Sequence, residues 1–465
     1  MMGVMLPDCI AIQETYDTSR CYLYYNEKER LVYAGEQSVF STLVKIEVER
    51  ATRNPNYVHL RFSNFNRYWS KRENSNVVVA ESKQPVEDIK DPSCTLFQPV
   101  QAPGREAGLF SLNHVPTGQR VSVAFRTWDV YVRENPPDCV SILTYVDWST
   151  LVKLPARVAF KGDNGRYLRG ISKDGNNYMQ FSSNDPNDWS SGHKVYLMPN
   201  GYVRITSDHW RGQFWRRSPS WIWADSDQSS INNRDTLFWP VKVDDNNTIA
   251  LRNAGNNQYC SRLSSRWKRD MLTAGAQNIT KEARLVVQEL VSKRNICNVR
   301  YQMQDARIYD ELPYVAGTSI VTNTGRQEAT MAVQVTYQDQ KSYTFSRSFS
   351  LTAGVEATIK AGVPFIAEGA IKVSFNINAA LQWAETTTTT TSVMASNSVP
   401  VPARSTATIQ YVGTKGTCDV PYSYTQQDKS SANGSVSYTE QADGIYKGTS
   451  CYNFRFVIKS TQRLD

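Results

Sequence analysis

From Met331 to Trp383 the apolar side chains fall almost entirely on odd positions. Met331, Val333, Val335, Tyr337, Tyr343, Phe345, Phe349, Leu351, Val355, Ile359 and Val363 take one face. The even positions between them are mostly Gln, Ser, Thr, Glu and Lys. Beyond Gly362–Gly369 the pattern resumes with Ile371, Val373, Phe375, Ile377, Ala379, Leu381 and Trp383. A period of two is the signature of extended strand, with successive side chains on opposite faces. Two such runs joined by a Gly- and Pro-containing stretch predict a β-hairpin over about 342–392, its tip at 362–369. Each arm exceeds the 9–11 residues or so that a membrane-spanning β-strand needs. Phe349, Leu351, Val355, Ile359, Val363, Phe365, Ile371, Val373 and Phe375 would then face lipid. Glu356, Lys360 and Lys372, on even positions, would face a water-filled lumen. The bland alternative is a long amphipathic hairpin covering a soluble sheet.

Upstream, two stretches echo each other about 145 residues apart, the signature of a duplicated domain. Arg67-Tyr68-Trp69-Ser70-Lys71 leads to Cys94-Thr95-Leu96-Phe97-Gln98-Pro99-Val100. Gln213-Phe214-Trp215-Arg216-Arg217 leads to Asp235-Thr236-Leu237-Phe238-Trp239-Pro240-Val241. A shorter period lies inside each copy. Tyr167, Phe214 and Tyr259 follow turn-forming residues at spacings of 47 and 45. Tyr22 and Tyr68 are 46 apart, and Gly118-Gln119-Arg120-Val121 marks a degraded third unit. Three units that cannot each close a core predict a threefold pseudosymmetric fold, for which a β-trefoil fits. Asp147–Pro155 reads as a short helical linker ended by Pro155.

The chain has 465 residues and a net charge of +8, without a Lys/Arg-rich run, so nucleic acid is a poor partner. From Arg294 onward 15 Lys+Arg face 13 Asp+Glu, which leaves the positive excess upstream. The N-terminal residues lack a basic region followed by an apolar core, so we expect no secretory signal and synthesis in the cytoplasm or nucleocytoplasm. No run of about 18 apolar residues occurs, so any contact with a bilayer must be through a barrel or a surface. The eight cysteines are dispersed, form no C-x-x-C pair and read as reduced thiols, with a Cys418–Cys451 bridge as the alternative. None of the four histidines has metal-ligand spacing, and no phosphate-binding loop or nucleophile elbow is present. Asp310-Glu311 reads as a solvated turn rather than a catalytic pair. No enzyme, metal or cofactor is expected.

The repeats resemble the amaranthin-type agglutinin domain of plant lectins. The resemblance is carried by Lys161-Gly162-Asp163-Asn164-Gly165-Arg166-Tyr167-Leu168, by Val146-Asp147-Trp148 and by Cys94-Thr95-Leu96-Phe97-Gln98-Pro99, and it covers roughly residues 5–293. The remainder looks like the pore-forming module of the aerolysin family. There the carriers are Phe349-Ser350-Leu351-Thr352-Ala353-Gly354-Val355, Ala361–Gly369 and Val399-Pro400-Val401-Pro402-Ala403. Together they imply an all-β chain: a trefoil over 1–145, a linker over 146–155, a second trefoil over 156–293 and an elongated aerolysin-like sheet domain over 294–465. They also imply binding of galactose/N-acetylgalactosamine-type glycans, a homo-oligomeric membrane pore and a role in plant defence.

In the agglutinin family the sugar loop holds an Asn followed by an aromatic pair. Asn74 matches within Arg72–Val77, beside Ser75, but Asn76 and Val77 stand where the aromatics belong. The second copy has Ser220, Trp221 and Trp223 at the equivalent place. Sugars stack their C–H faces on aromatic rings and need oriented polar partners for their hydroxyls, so Trp beside Ser or Asn suits them. Trp69 reads as core, while Trp215, Trp221 and Trp223 fit either core or site. Two functions compete: a lectin-guided pore former, and a galactose-type lectin whose third domain only multimerises it.

Overall fold

The computed structural model describes residues 4–15, 21–102, 108–124, 126–134, 139–244, 247–349 and 354–464. Among these, strands and short 3-10 turns make up all of the regular structure. The chain divides into two compact units. One comprises 1–294 with 351–356 and 427–438, and the other comprises 295–350, 357–426 and 439–465.

In the first unit, six strands close into a ring. Cys9–Glu14, Ile46–Arg50, Val58–Phe62, Phe97–Gln101, Phe110–His114 and Leu143–Asp147 each pair with the next, and the last pairs with the first. Three hairpins are inserted: Cys21–Asn26 with Leu31–Glu36, Arg67–Lys71 with Val78–Ser82, and Arg120–Ala124 with Val130–Arg133. They bridge one another through Leu31–Val79, Tyr33–Asp129 and Val77–Tyr131. The architecture recurs downstream. Arg157–Lys161, His193–Leu197, Val203–Ser207, Phe238–Lys242, Thr248–Asn253 and Leu285–Glu289 close the second ring. Its hairpins, Tyr167–Lys173 with Asn176–Ser183, Phe214–Ser218 with Trp221–Ser226, and Tyr259–Leu263 with Met271–Ala276, also pair mutually. These are two β-trefoils, and closure leaves no open edge on either barrel.

The repeated aromatic has a structural cause. At Tyr68/Trp69, Tyr167/Leu168, Phe214/Trp215 and Tyr259/Cys260 the strand register shifts by one residue. A bulge of this kind re-aims the side chains that follow it. Trp69, Leu168, Trp215 and Cys260 are accordingly 0 % exposed, each in the core of its trefoil. Ahead of the bulge lies a left-handed residue: Asn66, Gly165, Gly212 or Asn257. Asn164 and Asn256 reach back from the turns to the carbonyls of Phe181 (3.1 Å) and Ala274 (2.8 Å).

The last barrel strand of the first trefoil runs to Asp147, past the boundary expected at 145. The expected helical linker is a single 3-10 turn, Trp148–Thr150, capped by Asp147 Oδ1, which accepts from the Ser149 amide at 2.9 Å. Leu151, Val152 and Leu154 after it are buried, and the Val39 amide donates to the Pro199 carbonyl at 2.7 Å. The linker is therefore packed rather than free.

The remaining sheet has eight strands, of which Ser405–Ser430 and Val436–Arg463 reach 26 and 28 residues. The order is Ala370–Leu381, Ala357–Ala367, Val291–Tyr301, Ser405–Ser430, Val436–Arg463, Ala329–Arg347, Thr386–Val401, with Arg307–Asn323 also on Ser405–Ser430. Its core is unusually aromatic: Phe345, Tyr422, Tyr424, Tyr446 and Tyr452 are all buried. Glycine makes room for the rings. A Cβ on Gly444 would lie 2.4 Å from Tyr422, and one on Gly416 would lie 2.9 Å from the Tyr452 hydroxyl. Asp310-Glu311, read from sequence as a turn, is a bulge inside the strand Arg307–Asn323, with Asp310 left-handed. Cys418 and Cys451 are both free.

Burial in the second trefoil holds the His193 imidazole down to about 4, against backbone acceptors that act the other way. An unfolded chain binds that proton from pH ~6.5 downward. The stabilisation is therefore complete above pH ~6.5 and is lost as pH falls toward about 4, by roughly 3 kcal/mol for this one group. Urea midpoints of the wild type should fall steadily over that window, and His193→Gln should flatten the fall.

Candidate functional site

Both candidate sugar loops sit at the tip of the middle hairpin of their trefoil. In the first, the turn Arg72–Val77 joins Arg67–Lys71 to Val78–Ser82, with Asn74 left-handed and exposed. Ser75 Oγ accepts from the Val77 amide at 3.3 Å, which leaves its O–H free of the turn. The Asn76 carbonyl accepts from the Val132 amide at 2.7 Å, which fixes the loop to the neighbouring hairpin. The side chains of Asn74 and Asn76 are exposed.

In the second trefoil the tip is the two-residue turn Pro219-Ser220, and the Ser220 carbonyl accepts from the Ala274 amide at 2.7 Å. The register aligns the two copies: Trp69 faces Ala80 as Trp215 faces Ala224. Trp221 and Trp223 thus occupy the positions of Val77 and Val79, and the first copy has no aromatic there. Trp215 is core, whereas Trp221 and Trp223 are half-buried on the face away from the core. They flank Tyr178 edge-on, with ring centroids 6.0 and 5.7 Å away. The Arg216 guanidinium, 5.8 Å from the Trp223 ring, is neutralised by a two-pronged pair with Asp225 at 3.0 and 2.6 Å. Lys268 Nζ lies 4.8 Å from both the Tyr178 and Trp221 rings. The six residues expected from sequence therefore fall in two places, the tip of the middle hairpin of each trefoil. Tyr178 and Lys268 were not legible, because strand pairing across repeats brings them in from 43 residues before and 47 after Trp221.

The expected insertion hairpin is a hairpin, though not as one continuous pair of arms. The outer arms, Ala329–Arg347 and Thr386–Val401, pair from Ala329–Val401 to Thr344–Thr386. The inner pair, Ala357–Ala367 with Ala370–Leu381, lies at the opposite edge of the sheet order. Its turn is the two residues Glu368-Gly369, both at positive φ (55° and 74°), so the apolar stretch 363–366 is strand and not tip. A two-residue turn of this hand matches the twist of the flanking strands.

The odd-position rule also breaks. Ala357, Ile359, Ala361 and Val363 are buried, but the register shifts between Val363 and Pro364. After the shift Ile366 is buried and Phe365 only partly so. On the second strand Ile371 and Ile377 pack partly against the aromatic core, while Val373 is 49 % exposed. Phe349 is buried and Val355 half-buried. Leu351 and the Phe375 side chain lie outside the described residues.

Hydroxyl groups hold the first strand at alternate residues. Tyr301 Oη donates to the Gly362 carbonyl, and Tyr446 Oη donates to the Pro364 carbonyl at 2.5 Å. Ser450 Oγ accepts from the Ile366 amide at 3.2 Å. Burial pushes both phenols upward, which keeps them protonated donors. Lys341 Nζ lies 5.0 Å from the Phe365 ring, and Thr358 Oγ1 donates to Asn295 Oδ1 at 2.8 Å. No group of three or more His, Cys, Asp or Glu able to hold a metal occurs among the described residues, nor does a helix long and apolar enough to cross a membrane.

Residues 152–290 match the Agglutinin domain family, and residues 277–456 match the family of Clostridium epsilon toxin ETX/Bacillus mosquitocidal toxin MTX2. Natterin-1 and Natterin-2 of Thalassophryne nattereri are 28% and 27% identical over 152 residues, which is 32% of this chain. The chain spans only 43% and 40% of the length of these relatives. The crystal structure of a lamprey immune protein aligns over 67% of this chain and 91% of its own, at 13% identity and a TM-score of only 0.32.

Each phenol-to-carbonyl bond contributes roughly 1 kcal/mol net. Removing both hydroxyls, as Tyr301→Phe with Tyr446→Phe, should speed amide hydrogen exchange along 357–367 by about tenfold or more. Exchange in the trefoil barrels serves as the internal control and should not change.

Proposed function

From a chain that joins an agglutinin domain to an ETX/MTX2 aerolysin-like domain, we propose a lectin that delivers a β-pore-forming module to glycan-bearing membranes. The observation that carries the reading is the inner hairpin. The apolar side chains Ile359, Val363 and Ile366 of its first strand are buried on the sheet, yet side-chain hydroxyls make several of the bonds that hold it there. A strand held in this way is covered in the monomer and can leave without unfolding a barrel. Glycan binding by the trefoils concentrates chains at a surface, and copies of the chain associate. The hairpin then extends the Ser/Thr-rich arms Ala329–Arg347 and Thr386–Val401 into a shared barrel. Only a closed barrel satisfies the backbone of strands in hydrocarbon. No step needs catalysis or a cofactor.

The module boundaries proposed are those at 145–156 and 293. For ligand we propose galactose/N-acetylgalactosamine-type glycans, held through Asn74 and Asn76 in the first trefoil and through Ser220, Trp221 and Trp223 in the second. A role in plant defence rests on the resemblance to plant agglutinins alone, whereas the two relatives named above come from Thalassophryne nattereri. One feature favours the rival reading of a lectin that only multimerises. Thr386–Val401 is an edge strand of 16 residues without a charge, and such an edge invites another chain.

Dye release from vesicles bearing a galactose-terminated glycolipid decides between the two. We expect release by the wild type. Thr358→Cys with Asn295→Cys should staple the hairpin and block release until a reductant is added. Val373→Lys is harmless where that side chain is already exposed, but it puts a charge on the lipid face at about 2–4 kcal/mol near the midplane. It should stop release and leave binding intact. Trp221→Ala and Asn74→Ala should weaken binding while the fold survives. Binding and clustering without dye release under any condition would leave the multimeric lectin.

A further inference from the structure

A cation covers one side of the Trp221 ring. Lys268 Nζ sits 4.8 Å from the Trp221 ring centroid and 4.8 Å from that of Tyr178. An ammonium over two rings is held there by their quadrupoles. It carries three N–H donors and no acceptor. Its neighbours along the chain are of the same sign. The tip of the third hairpin, between Tyr259–Leu263 and Met271–Ala276, reads Arg266-Trp267-Lys268-Arg269. Trp267 is 73 % exposed, with the Arg266 guanidinium 5.1 Å from its ring. Among the described residues no carboxylate forms an ion pair with Arg266, Lys268 or Arg269. The nearby acids are engaged elsewhere: Asp270 pairs with Arg262, and Asp225 with Arg216. Trp223 Nε1 is buried and lacks a hydrogen-bond partner. Two hairpin tips of the second trefoil thus bring together aromatic ring surface and cations without counter-ions. The equivalent positions of the first trefoil's middle hairpin carry Val77 and Val79 instead.

We infer that the second trefoil recognises an acidic glycan, a galactose-type sugar bearing a carboxylate or a sulfate, with Lys268 as the anion's partner and Trp221 and Trp267 as the walls beside the ring. The inference rests on the lectin reading above and specifies its ligand. A neutral galactoside meets an ammonium where it needs an apolar face. An acidic one gains a charge-assisted bond there, about twice as strong as a neutral hydrogen bond. Arg266 and Arg269 add to the local potential and lower the free energy of a bound anion, in a manner that salt screens.

The test uses the full chain and four probes at fixed ionic strength: a sialylated galactoside, a 3-O-sulfated galactoside, the neutral parent galactoside, and phosphatidylserine vesicles without glycan. The acidic galactosides should bind at least tenfold more tightly than the neutral parent. Their affinity should fall as NaCl rises from 0.15 to 0.5 M, while that of the parent should not. Lys268→Ala should cut acidic binding about tenfold or more and leave neutral binding no weaker, and Lys268→Arg should restore most of the loss in acidic binding. Arg266→Ala with Arg269→Ala should give a smaller loss that added salt erases. Equal affinity for acidic and neutral galactosides overturns the inference and leaves the lectin reading standing. Absence of binding to every glycan overturns both. Binding to glycan-free phosphatidylserine vesicles that falls in the same variants, without preference among the sugars, assigns the patch to the lipid surface and overturns the glycan.

Discussion

An all-β chain cannot satisfy its backbone locally, because each strand's N–H and C=O groups need another strand beside them. The two halves of this protein meet that constraint in opposite ways. Each trefoil closes a ring of six strands and then closes its three hairpins on one another. The third sheet does not close. It ends on one side at Ala370–Leu381 and on the other at Thr386–Val401. Closure makes the trefoils stable platforms whose loops can change freely. Openness leaves the third sheet with an edge strand on each side.

Within the trefoils the bulge at the repeated aromatic keeps the interior alike while the outside diverges. The residue after each bulge goes to the core in four of the units, whether it is Trp, Leu or Cys. The residues two positions either side of the core alanines Ala80 and Ala224 stay alike between the copies, and Val78 and Ile222 are themselves core. They are Val78 and Ser82 in one copy, and Ile222 and Ser226 in the other. Their outward neighbours differ more: Val77 and Val79 against Trp221 and Trp223. A duplicated scaffold with one aromatic tip and one polar tip can present two chemistries from one fold.

The inner hairpin is bound to the sheet by small buried side chains and by hydroxyl groups. Its buried side chains are of modest size, Ala357, Ile359, Ala361, Val363 and Ile366, and the bulky rings belong to the sheet that receives it. If it leaves, those rings lose their cover, while the long strands Ser405–Ser430 and Val436–Arg463 stay in the middle of the sheet. The hydroxyls of Tyr301, Tyr446 and Ser450 satisfy backbone groups that lie around the register shift, where a regular ladder is interrupted. They compensate a local defect, and each contributes about a kilocalorie net.

Period and repetition alone determined the all-β class, the threefold units with their duplication, the packed Trp69 and the amphipathic strands after Met331. Each is a local or periodic property, and a strand's two faces are fixed by its covalent geometry. Three matters were settled only by tertiary structure. The hairpin turns at Glu368-Gly369 and not in the apolar stretch before it, because a bulge at Pro364 moves the buried side from odd to even positions. Trp215 and Trp221, each readable from sequence as core or site, part into core and surface because the register with Trp221–Ser226 decides which points inward. Lys268 comes to rest on Trp221 and Tyr178 only because three hairpins far apart in sequence close on one another. No local pattern encodes such a meeting, since it depends on pairings between repeats that each repeat specifies only through its own edge.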